Sequence, residues 1–452
     1  MATLIEQVRR AGVVGGGGSP TWLKLTRSAE IVVANGVECT PLARADRGAL
    51  ANYPAEIARG LRLAMQAMRA EQGILALREY SREAAESVAA ALSADLWLKP
   101  RVRVALVPAV YPAGEERQLA LTVTGRAAPM GGTPLDVGVA VLGVRTLLAI
   151  EEAAREQPST HQLVAVMGAV RKPATVWAPR GIALEKLVAA AGGIASGKPG
   201  SSDAPGRLAN DSLLFPGGPL YGTPASPDSA LNHGTSLLVV LPKDHAAARK
   251  HEIPLSVHLR RGLSACENCS QCTQLCPANL VGQPVEPHKV MRAVAHGLDG
   301  MAEAIASAAF CVGCGLCTAY ACPVGLAPSI VTLAVKRKLT EGGYVTPLGT
   351  GSGETKAEWA DRRVPLERLL TRLDLARYDV PAPIAGAVAA DRVVVPIELP
   401  SGLLAAPTVR DGHRVKAGQK IADVPDNAPG VPILASLTGS VRLTPQGIEI
   451  TA

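Results

Sequence analysis

Two stretches decide how this chain is read: Cys266-Glu267-Asn268-Cys269-Ser270-Gln271-Cys272-Thr273-Gln274-Leu275-Cys276-Pro277 and Cys311-Val312-Gly313-Cys314-Gly315-Leu316-Cys317-Thr318-Ala319-Tyr320-Ala321-Cys322-Pro323. Each offers three cysteines separated by two residues, then a fourth followed by proline. Such a pair of runs holds two [4Fe–4S] cubanes: each triplet wraps one cluster, and each Cys-Pro thiolate reaches across to the other. The spacing therefore assigns Cys266, Cys269, Cys272 and Cys322 to one centre, and Cys311, Cys314, Cys317 and Cys276 to the second. The second run places four residues, not three, before its last cysteine, so one extra residue must bulge there. Disulfides are the plain alternative, but triplets this tight crowd the thiols too closely for four separate bridges. Zinc sites pair doublets and do not end in Cys-Pro. Two clusters so arranged make a wire for electrons.

At 452 residues the chain is too long for one compact core and predicts three or four domains. Hydrophobic residues make up 48% and aromatic ones only 3%, so the cores must be built on Ala, Val and Leu. The net charge of +7 is dispersed. Nucleic-acid binding needs a focused basic stripe, and none is present. No apolar run approaches the ~18–20 residues of a membrane span. The N-terminal sequence lacks a signal-peptide core, and the cysteine usage points to a reducing cytosol.

Strand–helix alternation over 1–157 predicts an α/β domain. Its strands are expected at 73–77, 102–107 and 137–142, and its helices at 1–12, 54–70, 80–92, 115–124 and 144–156. From His161, a β-β-α order followed by an apolar strand at 237–241 predicts a β-grasp-like module over 158–250, with a loop at 196–206. The two cysteine runs sit in a third unit, 251–344, with two helices expected over 286–309 and a third over 326–340. Residues 345–452 read as a linker (345–356) and a domain of short strands from Val393 onward.

In this order, several markers resemble one known family. They are Gly15-Gly16-Gly17-Gly18-Ser19-Pro20-Thr21 with Lys24, Asn35-Gly36-Val37-Glu38-Cys39-Thr40-Pro41, Val110-Tyr111-Pro112-Ala113-Gly114-Glu115-Glu116, Gly168-Ala169-Val170-Arg171-Lys172-Pro173, Gly217-Gly218-Pro219 and both cysteine runs. Together they resemble the cobalamin reductases of the propanediol-utilisation microcompartment. The likeness is more distant to the C subunit of the Rnf complex and the flavoprotein subunit of complex I. The resemblance implies an N-terminal FMN-binding α/β domain, a soluble-ligand-binding β-grasp module, a two-cluster ferredoxin-like domain and a C-terminal barrel-sandwich hybrid. It implies an oxidoreductase in the bacterial cytoplasm, within a microcompartment, passing electrons from NADH or another donor through FMN and two [4Fe–4S] clusters to cobalamin. A shell protein or an encapsulated cobalamin-dependent enzyme would be its partner. It further implies that Gly15, Gly16, Gly17, Gly18 and Lys24 hold the FMN phosphate, while Asn35, Glu38, Gly114 and Glu115 line the flavin and the nicotinamide approach. Backbone without side chains lets N–H groups approach a phosphate.

Three changes depart from the family pattern: Ser19 replaces a Phe, Thr40 replaces a Glu, and Leu142-Gly143 replace an Asn-Asn pair. Each removes a ligand contact. They favour a second reading, a flavin-less conduit or docking protein; a third reading, a subunit of an Rnf-like complex, rests on the more distant likeness alone. Of the remaining residues, Cys39 is expected to be a buried structural thiol, His258 a surface residue, and Lys336-Arg337-Lys338 a solvated helix end.

Overall fold

A computed structural model describes residues 3–79, 81–195, 212–400, 402–425 and 428–452. The expected loop over 196–206 lies outside the described residues. The first unit is a four-stranded parallel sheet in the order Val102–Val107, Gln72–Arg78, Ile31–Asn35, Val139–Gly143. Parallel neighbours require crossovers, and these are supplied by the helices Pro54–Ala67, Arg82–Ala94 and Glu116–Thr124. Both faces are covered, which is why the strands read as continuous apolar runs. Val32, Ala34, Leu75 and Leu142 belong to one core and Ile31, Val33, Ile74 and Val141 to another. Asn35 and Gly143 end adjacent strands in register. The chain runs outward from the strand Ile31–Asn35 on one side and returns on the other, so the strand ends form a topological switch point, where such sheets open a ligand crevice.

The helix Pro54–Ala67 has Ile57, Leu61, Ala64 and Met65 buried at helical spacing. It packs on the helix Val144–Ala154, and at Gly60 an added Cβ would stand 2.0 Å from the Leu147 carbonyl oxygen. Alanine normally stabilises a helix interior by about 1 kcal/mol over glycine. Here the sign should reverse. We expect Gly60→Ala to cost about 2 kcal/mol through forced separation of the helices, read as a lower denaturation midpoint. An unchanged or higher midpoint would contradict this packing.

The second sheet has five strands, ordered Ile384–Ala387, Ala174–Pro179, His161–Gly168, Leu237–Pro242, Ser212–Pro216. Its first strand comes from far down the chain and pairs in parallel with Ala174–Pro179. The cysteine-bearing unit is helical, with Leu255–Ala265, Pro287–His296, Ala302–Ser307 and Pro328–Glu341 packed together. The C-terminal strands form a four-stranded and a three-stranded antiparallel sheet.

The segment expected as a linker carries no regular element but is hydrogen-bonded along its length. The Gly349 N–H donates to Met130 O at 2.8 Å, Gly353 N–H to Ala127 O at 3.0 Å and Lys356 N–H to Leu280 O at 3.0 Å. Beyond it, Val364-Pro365 pair with Val110-Tyr111, and the helix Leu366–Arg372 buries Leu366, Leu369 and Leu370. No described helix is long and apolar enough to cross a membrane.

Candidate functional site

The strand ends Asn35 and Gly143 open into a chamber of about 1620 Å³ walled by all four units. From the first sheet come Gly16, Gly17, Asn35, Cys39, Thr40, Gly114, Glu115 and Arg145. The β-grasp module adds Tyr221 and residues 229, 230 and 232–237, the cysteine unit adds Phe310, Cys311, Val312 and Lys336, and the C-terminal domain adds residues 396–400.

Much of the wall is fixed by hydrogen bonds. Asn35 Nδ2 donates to Gly114 O at 2.9 Å, and its Oδ1 accepts from Val37 N–H at 3.0 Å. Glu115 caps the helix Glu116–Thr124, with Oε2 accepting from the Arg117 and Gln118 N–H groups at 3.1 Å each. Burial raises the Glu115 carboxyl above its ordinary value, against the lowering effect of Arg117. Gly16 and Gly17 are exposed, and a side chain on either would meet nothing within 4 Å. They form an open backbone cradle of the kind an anionic group can approach, so the residues present fit a flavin phosphate.

Other expected contacts lie elsewhere. Gly15 lines a small neighbouring cavity, and Gly18 packs against Pro400 of the C-terminal domain. The Lys24 ammonium is committed to Glu116 Oε1 at 2.5 Å and Val141 O at 3.2 Å. Glu38 is buried rather than lining the chamber; Arg47 and Arg44 stand 3.6 and 3.8 Å from its carboxylate, and Arg78 donates to its carbonyl. Ser19 is exposed, whereas Thr40 faces the chamber beside Gly218. Cys39 also lines the chamber; burial pushes its thiol up to about 12, so it stays protonated.

The eight remaining cysteines gather into two nests, and all are free thiols. Cys266, Cys269, Cys272 and Cys322 line one small cavity. In the other nest burial raises all four thiols, and neighbouring sulfurs add to it: Cys311 raises Cys276, Cys276 and Cys311 raise Cys314, and all three raise Cys317. This is the crossed pattern, with each Cys-Pro thiol beside the other run's triplet. Both triplet loops use left-handed backbone at matching positions, Asn268 and Ser270 in one, Gly313 and Gly315 in the other. Alternation of this kind curls N–H groups toward the enclosed centre; Gly313 N–H reaches Cys311 Sγ at 3.4 Å, and Leu326 N–H reaches Cys322 Sγ at 3.3 Å. The extra residue before Cys322 is absorbed by a single π-helical turn, Cys317–Ala321, the usual way a helix takes up one more residue.

Burial pushes the Cys272 and Cys276 thiols up to about 12, so metal charge is needed to hold them as thiolates. No three His, Cys, Asp or Glu among the described residues converge tightly enough for a single ion. Each nest offers four free thiols, the donor set of a cubane. Cys311 lines the chamber, which makes its nest the proximal one. Cys272 and Cys317 pack in one apolar cluster with Ala321, joining the nests. Cys269 is exposed at the distal end.

Two side chains run against expectation. His258 is 3% exposed, its Nε2 lying 3.2 Å from Lys250 O, because its helix face packs inward. Lys336 turns in from the helix Pro328–Glu341, donates to Cys311 O at 2.7 Å and lines the chamber. In sequence it looked like one charge of a solvated triplet.

Residues 8–152 match the family model of the Nuo51 FMN-binding domain, 163–223 the SLBB domain, 265–327 the 4Fe-4S dicluster domain and 378–446 the RnfC barrel sandwich hybrid domain. The chain is 34% identical over 456 residues to the cobalamin reductase PduS of Citrobacter freundii, covering 99% of this chain and 96% of that one. It is 30% identical to the C subunit of the Na(+)-translocating ferredoxin:NAD(+) oxidoreductase complex of Acetobacterium woodii, over 61% of this chain and 58% of the other. An NAD+-reducing [NiFe]-hydrogenase in the air-oxidized state superposes with a TM-score of 0.47 at 23% identity, over 84% of this chain and 67% of that one. With near full-length identity joined to an FMN-binding domain and a 4Fe-4S dicluster domain in one chain, this protein belongs to the PduS cobalamin reductase family and is an electron-transfer flavo-iron–sulfur oxidoreductase.

Proposed function

We propose that the chain reduces cobalamin inside a bacterial microcompartment, drawing on NADH or another donor. The observation that carries the electron route is the shared wall: Cys311 belongs to the chamber and to the proximal nest at once. The acceptor and the compartment are supported by the full-length likeness to proteins called cobalamin reductase PduS. FMN would supply the exchange between paired and single electrons, and two clusters the single-electron relay. Gly16 and Gly17 would cradle the flavin phosphate, with Gly15 and Gly18 shaping the turn. Asn35, Gly114 and Glu115 would fix the ring's surroundings, and Lys24 and Glu38 would act from behind, through Glu116 and the Arg44–Arg47 pair. On this reading the functional units are 1–157, 158–250, 251–344 and 345–452. A partner, either a shell protein or an encapsulated cobalamin-dependent enzyme, would meet the distal end at Cys269.

One observation favours a rival, the flavin-less conduit: Lys24 is held by Glu116 and does not face the chamber. Flavin released by heat from the purified holoprotein decides between them. About one FMN per chain supports the first reading; none moves the assignment to the conduit. With FMN bound, restoring Ser19→Phe and Thr40→Glu should tighten NADH about tenfold to thirtyfold and so speed flavin reduction at sub-saturating NADH. An aromatic stack and a hydrogen bond are each worth about 1 kcal/mol, and 1.4 kcal/mol is tenfold. Unchanged stopped-flow rates would show that these positions do not select the donor.

A further inference from the structure

Aromatic residues make up only 3% of the chain, so the places where they gather carry information. Tyr221 and Phe310 line the chamber. Behind Tyr221 stands Tyr111, its ring 6.5 Å away and edge-on at 69°. Tyr111 is buried, and its hydroxyl donates to the Cys314 carbonyl at 2.5 Å. The two hydroxyls also interact with each other. Tyr221 is 37% exposed where it meets the chamber, while its hydroxyl end is enclosed. Three units converge here, because Tyr111 comes from the first unit, Tyr221 from the β-grasp module and Cys314 from the proximal nest. The fit is close: a Cβ on Gly315 would stand 2.8 Å from the carbonyl oxygen of Leu220, the neighbour of Tyr221.

We propose that Tyr221 and Tyr111 are a positioning pair that sets the reduction potential of the proximal iron–sulfur centre from the chamber side. The proposal rests on Cys276, Cys311, Cys314 and Cys317 being the ligands of that centre. Reduction adds one electron and makes the centre more negative. An O–H dipole held toward a ligand's backbone stabilises that form, since hydrogen bonding around the cluster tunes its potential. Tyr221 orders the Tyr111 hydroxyl, and the low dielectric of the enclosed site strengthens the pair. Neither phenol gains or loses an electron, and no bond in either is broken. Because Tyr221 opens onto the chamber, a ligand that strips water from it would strengthen the same dipole.

The test is an EPR-monitored redox titration of the reconstituted full chain without added flavin. The proximal signal is identified as the one that Cys276→Ser abolishes, and the distal signal serves as the internal reference. At the wild-type proximal midpoint, Tyr221→Phe should lower the reduced-to-oxidised ratio about threefold to tenfold, a shift of up to about 59 mV for a one-electron couple. Tyr111→Phe should shift it at least as far in the same direction, and the distal midpoint should stay in place in both. Iron content equal to wild type shows that the variants are folded; if Tyr221→Phe loses iron, Tyr111→Phe decides. An unmoved proximal midpoint, or equal shifts of both centres, overturns the proposal. A wild-type chain with no reducible centre that depends on Cys276 would overturn the ligand assignment, and the proposal with it.

Discussion

In Cys276→Ser we expect the centre held by Cys311, Cys314 and Cys317 to be lost and the one held by Cys266, Cys269 and Cys272 to survive. Cys322→Ser should do the reverse. The geometry is specific: Cys322 shares a cavity with the first triplet, while Cys276 feels Cys311 and Cys314 feels Cys276. Iron and sulfide should each fall from about eight to about four per chain after anaerobic reconstitution, since each cubane holds four. The electronic spectra of the two variants should add up to that of the parent. Loss of the variant's own triplet centre with the other spared would refute the crossing, and about four iron in the wild type would refute the second cluster. The chamber gives the variants different consequences. Cys276→Ser should cut the distal centre off from any reductant bound in the chamber, whereas Cys322→Ser should leave the proximal centre reducible from it.

The second large effect is expected at Gly114. A methyl group there would lie 2.1 Å from Val37 O and 2.6 Å from Cys39 Sγ. Neither neighbour can yield cheaply. Val37 lies two residues past the strand Ile31–Asn35 and is tied to Asn35 Oδ1 through its N–H, and the Gly114 carbonyl is itself held by Asn35 Nδ2. Relief of the clash must push apart the loop bearing Glu115 and the loop bearing Cys39 and Thr40, both of which line the chamber. We expect Gly114→Ala to weaken FMN at least about a hundredfold, corresponding to roughly 3 kcal/mol, and to leave the iron content intact. Fluorescence titration of the apo-flavin protein measures the first and iron analysis the second. Parent-like affinity would remove Gly114 from the site.

Much of this was legible in the sequence, and the reasons are local. Cys-x₂ triplets followed by Cys-Pro encode their own loop geometry, so both nests could be assigned from spacing alone, down to the extra residue that becomes a π turn. Short continuous apolar runs marked the parallel strands because both sheet faces are buried. Lys24 and Lys336 could not be read the same way. Both are lysines on helices, yet one pairs with Glu116, 92 residues away, and the other turns toward Cys311. A side chain's direction depends on what packs above it, which periodicity does not report. The helix Leu366–Arg372 did leave a signal, since Leu366, Leu369, Leu370 and Leu373 repeat at helical spacing. The short strand Ile384–Ala387 left none, because its pairing partner lies in a distant segment.

That strand also bears on how the protein is made. The β-grasp sheet draws four strands from the stretch ending at Pro242, but its outer edge is supplied by Ile384–Ala387. While a ribosome is translating the two cysteine runs, the sheet therefore stands with Ala174–Pro179 as an open edge, a template for unwanted pairing. Closing it must wait for a long loop, a slow step in any fold. Iron loading and sheet completion thus fall within one window of synthesis, and a nascent chain stalled between them would expose both bare thiols and an unpaired strand.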